Sequence, residues 1–302
     1  MNFQSGTERC NLSTMQVTFI GLGIMGSRMA KNLLKNNIKL TIFNRSPEPV
    51  QELISQGAIG ANSVDKAAAE ADVVITMLSS PEAVRQVMLS DEGGLLNMKD
   101  NTLWVDCSTV NPSFSVQCQQ LANSQNVRFM DAPVAGSKPQ AERAELAFMV
   151  GGEKSDLSEV ENLFGYMGKK IMHVGEVGKG ASFKMLVNAM LAQSMVIFSE
   201  TLLLGERMGL DREFLMTALP NLPVTAPFVQ FKTDMILSGE YETQFPLELM
   251  YKDLHLAAVT AYEHQQPLYL VNLAKELYAG ATQSGLGRAD FSAIHQFLSE
   301  KK

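Results

Sequence analysis

The chain has 302 residues, 46% of them hydrophobic and 19% charged, with a formal net charge of −7. That is chain enough for roughly two domains around a sizeable core, and the acidic balance argues against a nucleic-acid binder driven by counterion release. The cysteines (Cys10, Cys107, Cys118) form no CxxC pair and the histidines are scattered, which fits a reducing compartment and predicts no metal site.

Residues 1–14 are polar, carry Glu8 and Arg9 and lack an apolar stretch, so they read as an extension rather than a secretory signal. Val17–Ile20 is a strand-like run, followed by glycines and a helical stretch at 25–34. Residues 40–43 form the next strand and 47–55 the next helix. The unbroken apolar run at 73–78 suits a parallel strand covered on both faces. Runs at 103–105 and 127–130 repeat the theme, with helical segments at 82–88 and 113–122 between them. This alternation predicts βαβ crossovers and an α/β, Rossmann-type doubly wound, mostly parallel sheet over residues 15–176. Gly175, Gly178 and Gly180 then punctuate the chain. Beyond them 181–208 reads as one long helix, apolar nearly all round, which predicts burial between domains or subunits. Its uncharged run, 185–199, is shorter than a membrane span. The rest is helical with Pro and Gly breaks, giving an all-helical second domain over 177–302 and an expected cytoplasmic protein.

Gly21, Gly23 and Gly26 form a GxGxxG fingerprint that follows a strand, opens a helix and encloses Ile24 and Met25. The first glycine permits the tight turn, the second lets backbone approach a pyrophosphate, and the third permits close helix–strand packing. The phosphates then rest at a helix N-terminus, where free N–H groups and the dipole favour anions. At the end of the second strand, NAD-preferring folds place an acid on the ribose hydroxyls. Here Asn44-Arg45-Ser46 removes that acid and offers a guanidinium fork and a hydroxyl to a 2′-phosphate, so NADP(H) is the expected cofactor.

Hydride transfer to a carbonyl leaves charge on oxygen and needs a positioned proton donor. Lys184 and Asn188 are four apart and so share one face of an otherwise apolar helix. A lysine buried there must be paired, used or neutralised; spacing alone equally allows one snorkelling at a helix edge.

Four stretches carry a resemblance to a known family: the fingerprint, Asp131-Ala-Pro-Val-Ala-Gly136 with Met149-Val-Gly-Gly152, the run from Gly178 to Asn188, and Lys252-Asp253. In this order and spacing the chain resembles the β-hydroxyacid dehydrogenases, with Asn44-Arg45-Ser46, Ser137-Lys-Pro139 and Phe245-Pro-Leu247 most similar to the glyoxylate/succinic semialdehyde reductase branch. The resemblance implies reduction of a small semialdehyde or 2-oxo acid, or oxidation of the hydroxy acid. It makes Lys184 the catalytic lysine and Asn188 its supporting amide. Thr109 then stands beside nicotinamide and substrate, Met77 and Leu78 give backbone contacts to the cofactor, and Lys252 is a further cofactor contact. Ala135, Gly136, Phe245 and Asp253 line the substrate, and the partner is a second copy or three more, as a homodimer or homotetramer. Two positions depart from the family pattern: Ala135 stands where relatives carry a serine, and Ala144 where they carry a glycine. The alternative readings are 3-hydroxyisobutyrate dehydrogenase, an imine reductase, which Lys184 argues against, and a non-catalytic cofactor sensor.

Overall fold

The computed structural model describes residues 14–300; Cys10 and all but the last residue of the polar 1–14 segment lie outside them. Among the described residues nine strands form one sheet. They are β1 (Val17–Ile20), β2 (Leu40–Phe43), β3 (Ile59–Gly60), β4 (Val73–Thr76), β5 (Leu103–Asp106), β6 (Arg128–Asp131), β7 (Val134–Ala135), β8 (Leu146–Gly151) and β9 (Gly168–Gly175). The order is β3-β2-β1-β4-β5-β6-β8-β7, with β9 beside β8. The pairings among β1 to β6 are parallel, β8 is antiparallel to β6 and β7, and β9 returns parallel to β8.

The helices between these strands are α1 (Gly26–Lys35), α2 (Pro47–Ile54), α3 (Val64–Ala68), α4 (Pro81–Met88), α5 (Pro112–Ser124), α6 (Lys138–Glu142) and α7 (Lys154–Met167). They leave apolar strands little choice but to bury both faces. Phe19, Ile75, Val105 and Met130 pack on one side of the sheet, while their neighbours Ile20, Val74, Trp104 and Phe129 pack on the other. That period of two inside unbroken apolar runs is what a covered parallel strand requires.

Next comes α8 (Lys179–Arg207), followed by α9 (Arg212–Ala218), α10 (Thr233–Ser238), α11 (Leu247–Glu263), α12 (Tyr269–Ala281) and α13 (Ile294–Glu300). The chain divides into two compact units, the first ending at Lys184 and the second beginning at Met185. That division lies inside α8, which runs unbroken from Lys179 to Arg207. In the second unit Ala192, Met195, Phe198 and Leu202 of α8 join Leu254, Ala257 and Tyr278 in one core. Leu186, Met190, Ile197 and Leu204 remain exposed. Burial on every side, expected from composition, is thus not achieved within one chain. By length and composition α8 is apolar enough to cross a bilayer, with mean hydropathy 1.4 over its most apolar window, but its packed face is that of a core helix.

Helix α6 ends in a pair of closing bonds, Glu145 N to Gln140 O at 2.8 Å and Ala144 N to Ala141 O at 3.4 Å. This Schellman closure needs a left-handed residue, normally glycine, and Ala144 takes it with φ of 55°. Substituting glycine is expected to raise stability by about 1 kcal/mol, measured by denaturant unfolding; an unchanged or lower midpoint would show that Ala144 is not strained.

Candidate active site

The residues picked at 21–26, 44–46, 77–78 and 109 follow the carboxyl ends of the parallel strands β1, β2, β4 and β5, where open α/β sheets bind ligands, whereas Ala135 lies in the antiparallel β7. After β1, Gly21 adopts φ of +96° and a Cβ there would lie 2.3 Å from Met77 O. A Cβ at Gly26 would lie 2.0 Å from Gly21 O, while one at Gly23 would meet nothing within 4 Å. Two glycines are therefore forced by close backbone approach, and the middle one opens a cleared space beside the start of α1. No side chain caps that helix, and although Ser27 N donates to Gly23 O and Arg28 N to Met25 O, each at 3.1 Å, the positive end of its dipole lies at the glycine turn, where it favours an anion. A dinucleotide fits this cradle, with Ile24 and Met25 in the turn.

Asn44, at the end of β2, accepts from Leu22 N through Oδ1 at 2.9 Å and donates from Nδ2 to Ser46 O at 3.0 Å. Its side chain braces the glycine loop against β2. Arg45 is exposed and Ser46, although first before α2, does not cap it. Both side chains are left to face solvent or ligand.

At the ends of β4 and β5 the backbone is held by a buried polar chain. Trp104 Nε1 donates to Thr76 Oγ1 at 2.9 Å, Thr76 Oγ1 donates to Asp106 Oδ1 at 2.8 Å, and Ser108 N donates to the same oxygen at 3.1 Å. Ser108 Oγ accepts from Leu78 N at 2.9 Å, and Met77 N donates to Ile20 O at 2.9 Å. The amides of Met77 and Leu78 are thus engaged within the protein, and Met77 O lies against Gly21. Thr109 follows directly on this brace, half-buried.

The start of α8 is fixed by a residue whose part the sequence did not reveal. Asp131, at the end of β6 and 1% exposed, accepts from Gly178 N at 2.7 Å and Ala181 N at 2.6 Å. The signal was present: an acid closing an apolar strand, with glycines ahead of a helix. Lys184 lies on the next turn, itself 8% exposed, and Asn188 is one turn beyond and 1% exposed. Asn188 Nδ2 donates to Asp253 Oδ2 at 2.6 Å, and Lys252 Nζ pairs with Asp253 Oδ1 at 2.9 Å. Because a carboxylate only accepts, the amide must turn its NH2 to Asp253. Its Oδ1 then points away, buried and without a hydrogen-bond partner among the described residues.

Ala135 is the last residue of β7, opposite Ala147, and Gly136 follows with φ of 123°. The nearby Ser137 hydroxyl is not a replacement for the missing serine, since it donates to Gln140 Oε1 at 2.9 Å in a capping box. In the second unit Phe245 is half-buried just before α11, its ring centroid 5.7 Å from that of Phe291.

A glycine cradle between β1 and α1 at the carboxyl ends of a parallel sheet defines a dinucleotide-binding fold, and α8 separately carries the buried Lys184 and Asn188. Residues 16–175 match the family profile described as the NAD binding domain of 6-phosphogluconate dehydrogenase, and residues 178–298 that described as NAD-binding of NADP-dependent 3-hydroxyisobutyrate dehydrogenase. The chain is 33% identical to glyoxylate/succinic semialdehyde reductase 2, chloroplastic, of Arabidopsis thaliana, over 98% of this chain and 83% of the relative. It is 34% identical to mitochondrial 3-hydroxyisobutyrate dehydrogenase of Rattus norvegicus, over 98% and 90% respectively. Among solved structures, Mycobacterium tuberculosis 3-hydroxyisobutyrate dehydrogenase with L-serine superposes with a TM-score of 0.85 at 30% identity, covering 94% of this chain and 99% of that one. The chain belongs to the 3-hydroxyisobutyrate dehydrogenase-like family of β-hydroxyacid dehydrogenases, enzymes that act on CH–OH groups with a nicotinamide cofactor.

Burial pushes the Asp131 carboxyl from its ordinary 3.8 up to about 6, against the pull of the Gly178 and Ala181 amides. Between those values the folded chain holds a proton that the unfolded chain has lost. This group's contribution to stability is therefore full below pH 3.8 and is lost as pH rises through about 6. Unfolding free energies of the native chain and Asp131→Asn, measured from about pH 4 to 7, should show the native advantage shrinking as pH rises. A constant difference would mean that Asp131 titrates alike in both states.

Proposed function

We propose that this protein is an NADP(H)-dependent reductase of a small acid aldehyde or 2-oxo acid, with glyoxylate and succinic semialdehyde as the leading substrates. In the oxidative direction the corresponding alternatives are 3-hydroxyisobutyrate and 4-hydroxybutyrate. The observation that carries this reading is the nearly buried Lys184, one helical turn before an amide that Asp253 holds at 2.6 Å.

A bound nicotinamide dinucleotide supplies or takes up the hydride. The Lys184 ammonium gives a proton to the carbonyl oxygen in reduction, and its neutral amine takes the hydroxyl proton in oxidation. Asn188 Oδ1, which the bond to Asp253 leaves without a hydrogen-bond partner among the described residues, accepts from the lysine or the substrate hydroxyl and sets its direction. Gly21, Gly23, Gly26 and the N-terminus of α1 hold the pyrophosphate, Arg45 and Ser46 hold the 2′-phosphate, and Met77, Leu78, Thr109 and Lys252 hold the remainder. Thr109, Ala135, Gly136, Phe245 and Asp253 line the substrate. With alanine at 135, one hydrogen bond to the acid is absent, a loss on the order of 1 kcal/mol. The cytoplasm is the compartment we assign.

Initial rates with NADPH and NADH against glyoxylate, succinic semialdehyde, methylglyoxal and tartronate semialdehyde test the reading. Turnover of an acid aldehyde with NADPH preferred is expected, and Lys184→Ala should lower kcat by about 10²–10⁴-fold. Unchanged turnover in that variant would remove Lys184 from the chemistry, and equal rates with NADH would remove Arg45 from cofactor choice.

The exposed residues Leu186, Met190, Ile197 and Leu204 fall on one stripe of α8, at the spacings of four and seven that helix–helix seams use. A second copy of the chain covers this stripe in a homodimer or homotetramer. Light scattering after gel filtration should give a multiple of 33.1 kDa, and Met190→Glu with Ile197→Glu should lower it; a monomeric native protein would refute the assembly.

A further inference from the structure

Residues 239–246 of the second unit have no regular structure beyond one bridge, Pro246 with Asp290. What holds them is a buried carboxylate. Asp290 Oδ2 accepts from Gln244 N at 3.3 Å and Phe245 N at 3.1 Å. Its Oδ1 accepts from Ser292 N at 3.1 Å and Ser292 Oγ at 2.7 Å, and pairs with Lys232 Nζ at 2.9 Å. Lys232 also donates to Gln244 Oε1 at 3.0 Å and lies 5.1 Å over the ring of Phe291. Phe291 in turn donates its amide to Phe245 O at 2.8 Å and packs its ring against that of Phe245. Both charges are out of water, Lys232 at 4% exposure and Asp290 at 0%.

Apolar replacement of a buried ion pair is often neutral or stabilising, so stability alone gives little reason for this one. Its bonds have a common destination: the amide, the carbonyl and the ring of Phe245 are each tied, directly or through one neighbour, to Lys232 or Asp290. We propose that the Lys232–Asp290 pair is a positioning element for the substrate, which places the Phe245 ring and thereby sets how long an acid the pocket accepts. This rests on the reading above that Phe245 lines the substrate pocket. Lys232 and Asp290 themselves are positioning residues, acting only through Phe245. A ring displaced by a fraction of an ångström changes the fit of a four-carbon acid more than that of a two-carbon one.

The test is a double-mutant cycle of Lys232→Met and Phe245→Ala, with kcat and KM measured for succinic semialdehyde and glyoxylate with NADPH. Lys232→Met is expected to raise KM for succinic semialdehyde about tenfold, to shift its kcat/KM relative to glyoxylate, and to leave KM for NADPH unchanged. In the Phe245→Ala background the same change should add nothing further, since coupled residues are not additive. Additive effects, or an unchanged KM in a folded Lys232→Met enzyme, would overturn the proposal. Should that variant not fold, Gln244→Ala cuts one strand of the network and is expected to move KM about threefold in the same direction; no movement counts against the proposal equally. If Phe245→Ala itself leaves KM unchanged, the pocket reading fails and takes this inference with it. If Phe245→Ala moves KM and Lys232→Met does not, the inference alone fails.

Discussion

The carboxylate of Asp131 closes β6 and opens α8, and the position of Lys184 is referenced to the sheet through it. Two backbone amides converge on this carboxylate at 2.6 and 2.7 Å, satisfying donors that the first turn of any helix leaves unpaired. The fit is tight enough to dictate neighbouring residues. A Cβ at Gly151 would stand 2.5 Å from Asp131 Oδ1, and one at Gly180 would stand 2.8 Å from Oδ2. Gly151 at the end of β8 and Gly180 in the first turn of α8 are therefore required by the carboxylate.

Backbone sterics act the same way in the dinucleotide cradle. Gly21 and Gly26 lie so close to Met77 O and to each other that no side chain fits, whereas Gly23 faces open space. Neighbouring polar groups are spent on bracing: Asn44 on Leu22 and Ser46, Ser108 on Leu78. A rigid rim with an uncapped helix start is suited to an anion because the donors are already oriented before it arrives.

In the second unit, buried charges serve as struts. Asp253 joins Lys252 to Asn188, and Asp290 joins Lys232 to the segment before α11. By contrast, exposed pairs such as Arg143 with Glu145 and Lys169 with Glu145 contribute little, since water screens them. Asp290 accepts from three backbone amides, the Ser292 hydroxyl and Lys232, so it fixes the direction of what it touches as well as its place.

The cradle and the main strands were legible in the sequence because their causes are local. Glycines at 21, 23 and 26 answer to the turn they make, and the strands at 17–20 and 40–43 end where their apolar runs end. The short β3 and β7, and β8 with β9, were not legible, since their residues pair with partners far along the chain and carry no sharp turn signal of their own. The site followed the same division. Lys184 and Asn188 were readable as neighbours on one helical face, a matter of 3.6 residues per turn. That Asp253 holds Asn188, Asp131 caps the helix, and Asp290 holds Phe245 depended on contacts 65, 50 and 45 residues apart. Sequence by itself determined the doubly wound fold, the glycine cradle and the family, because periodicity and steric demands repeat at short range. Only the tertiary structure decided which carboxylate faces which donor, because burial and direction in space belong to the folded chain as a whole.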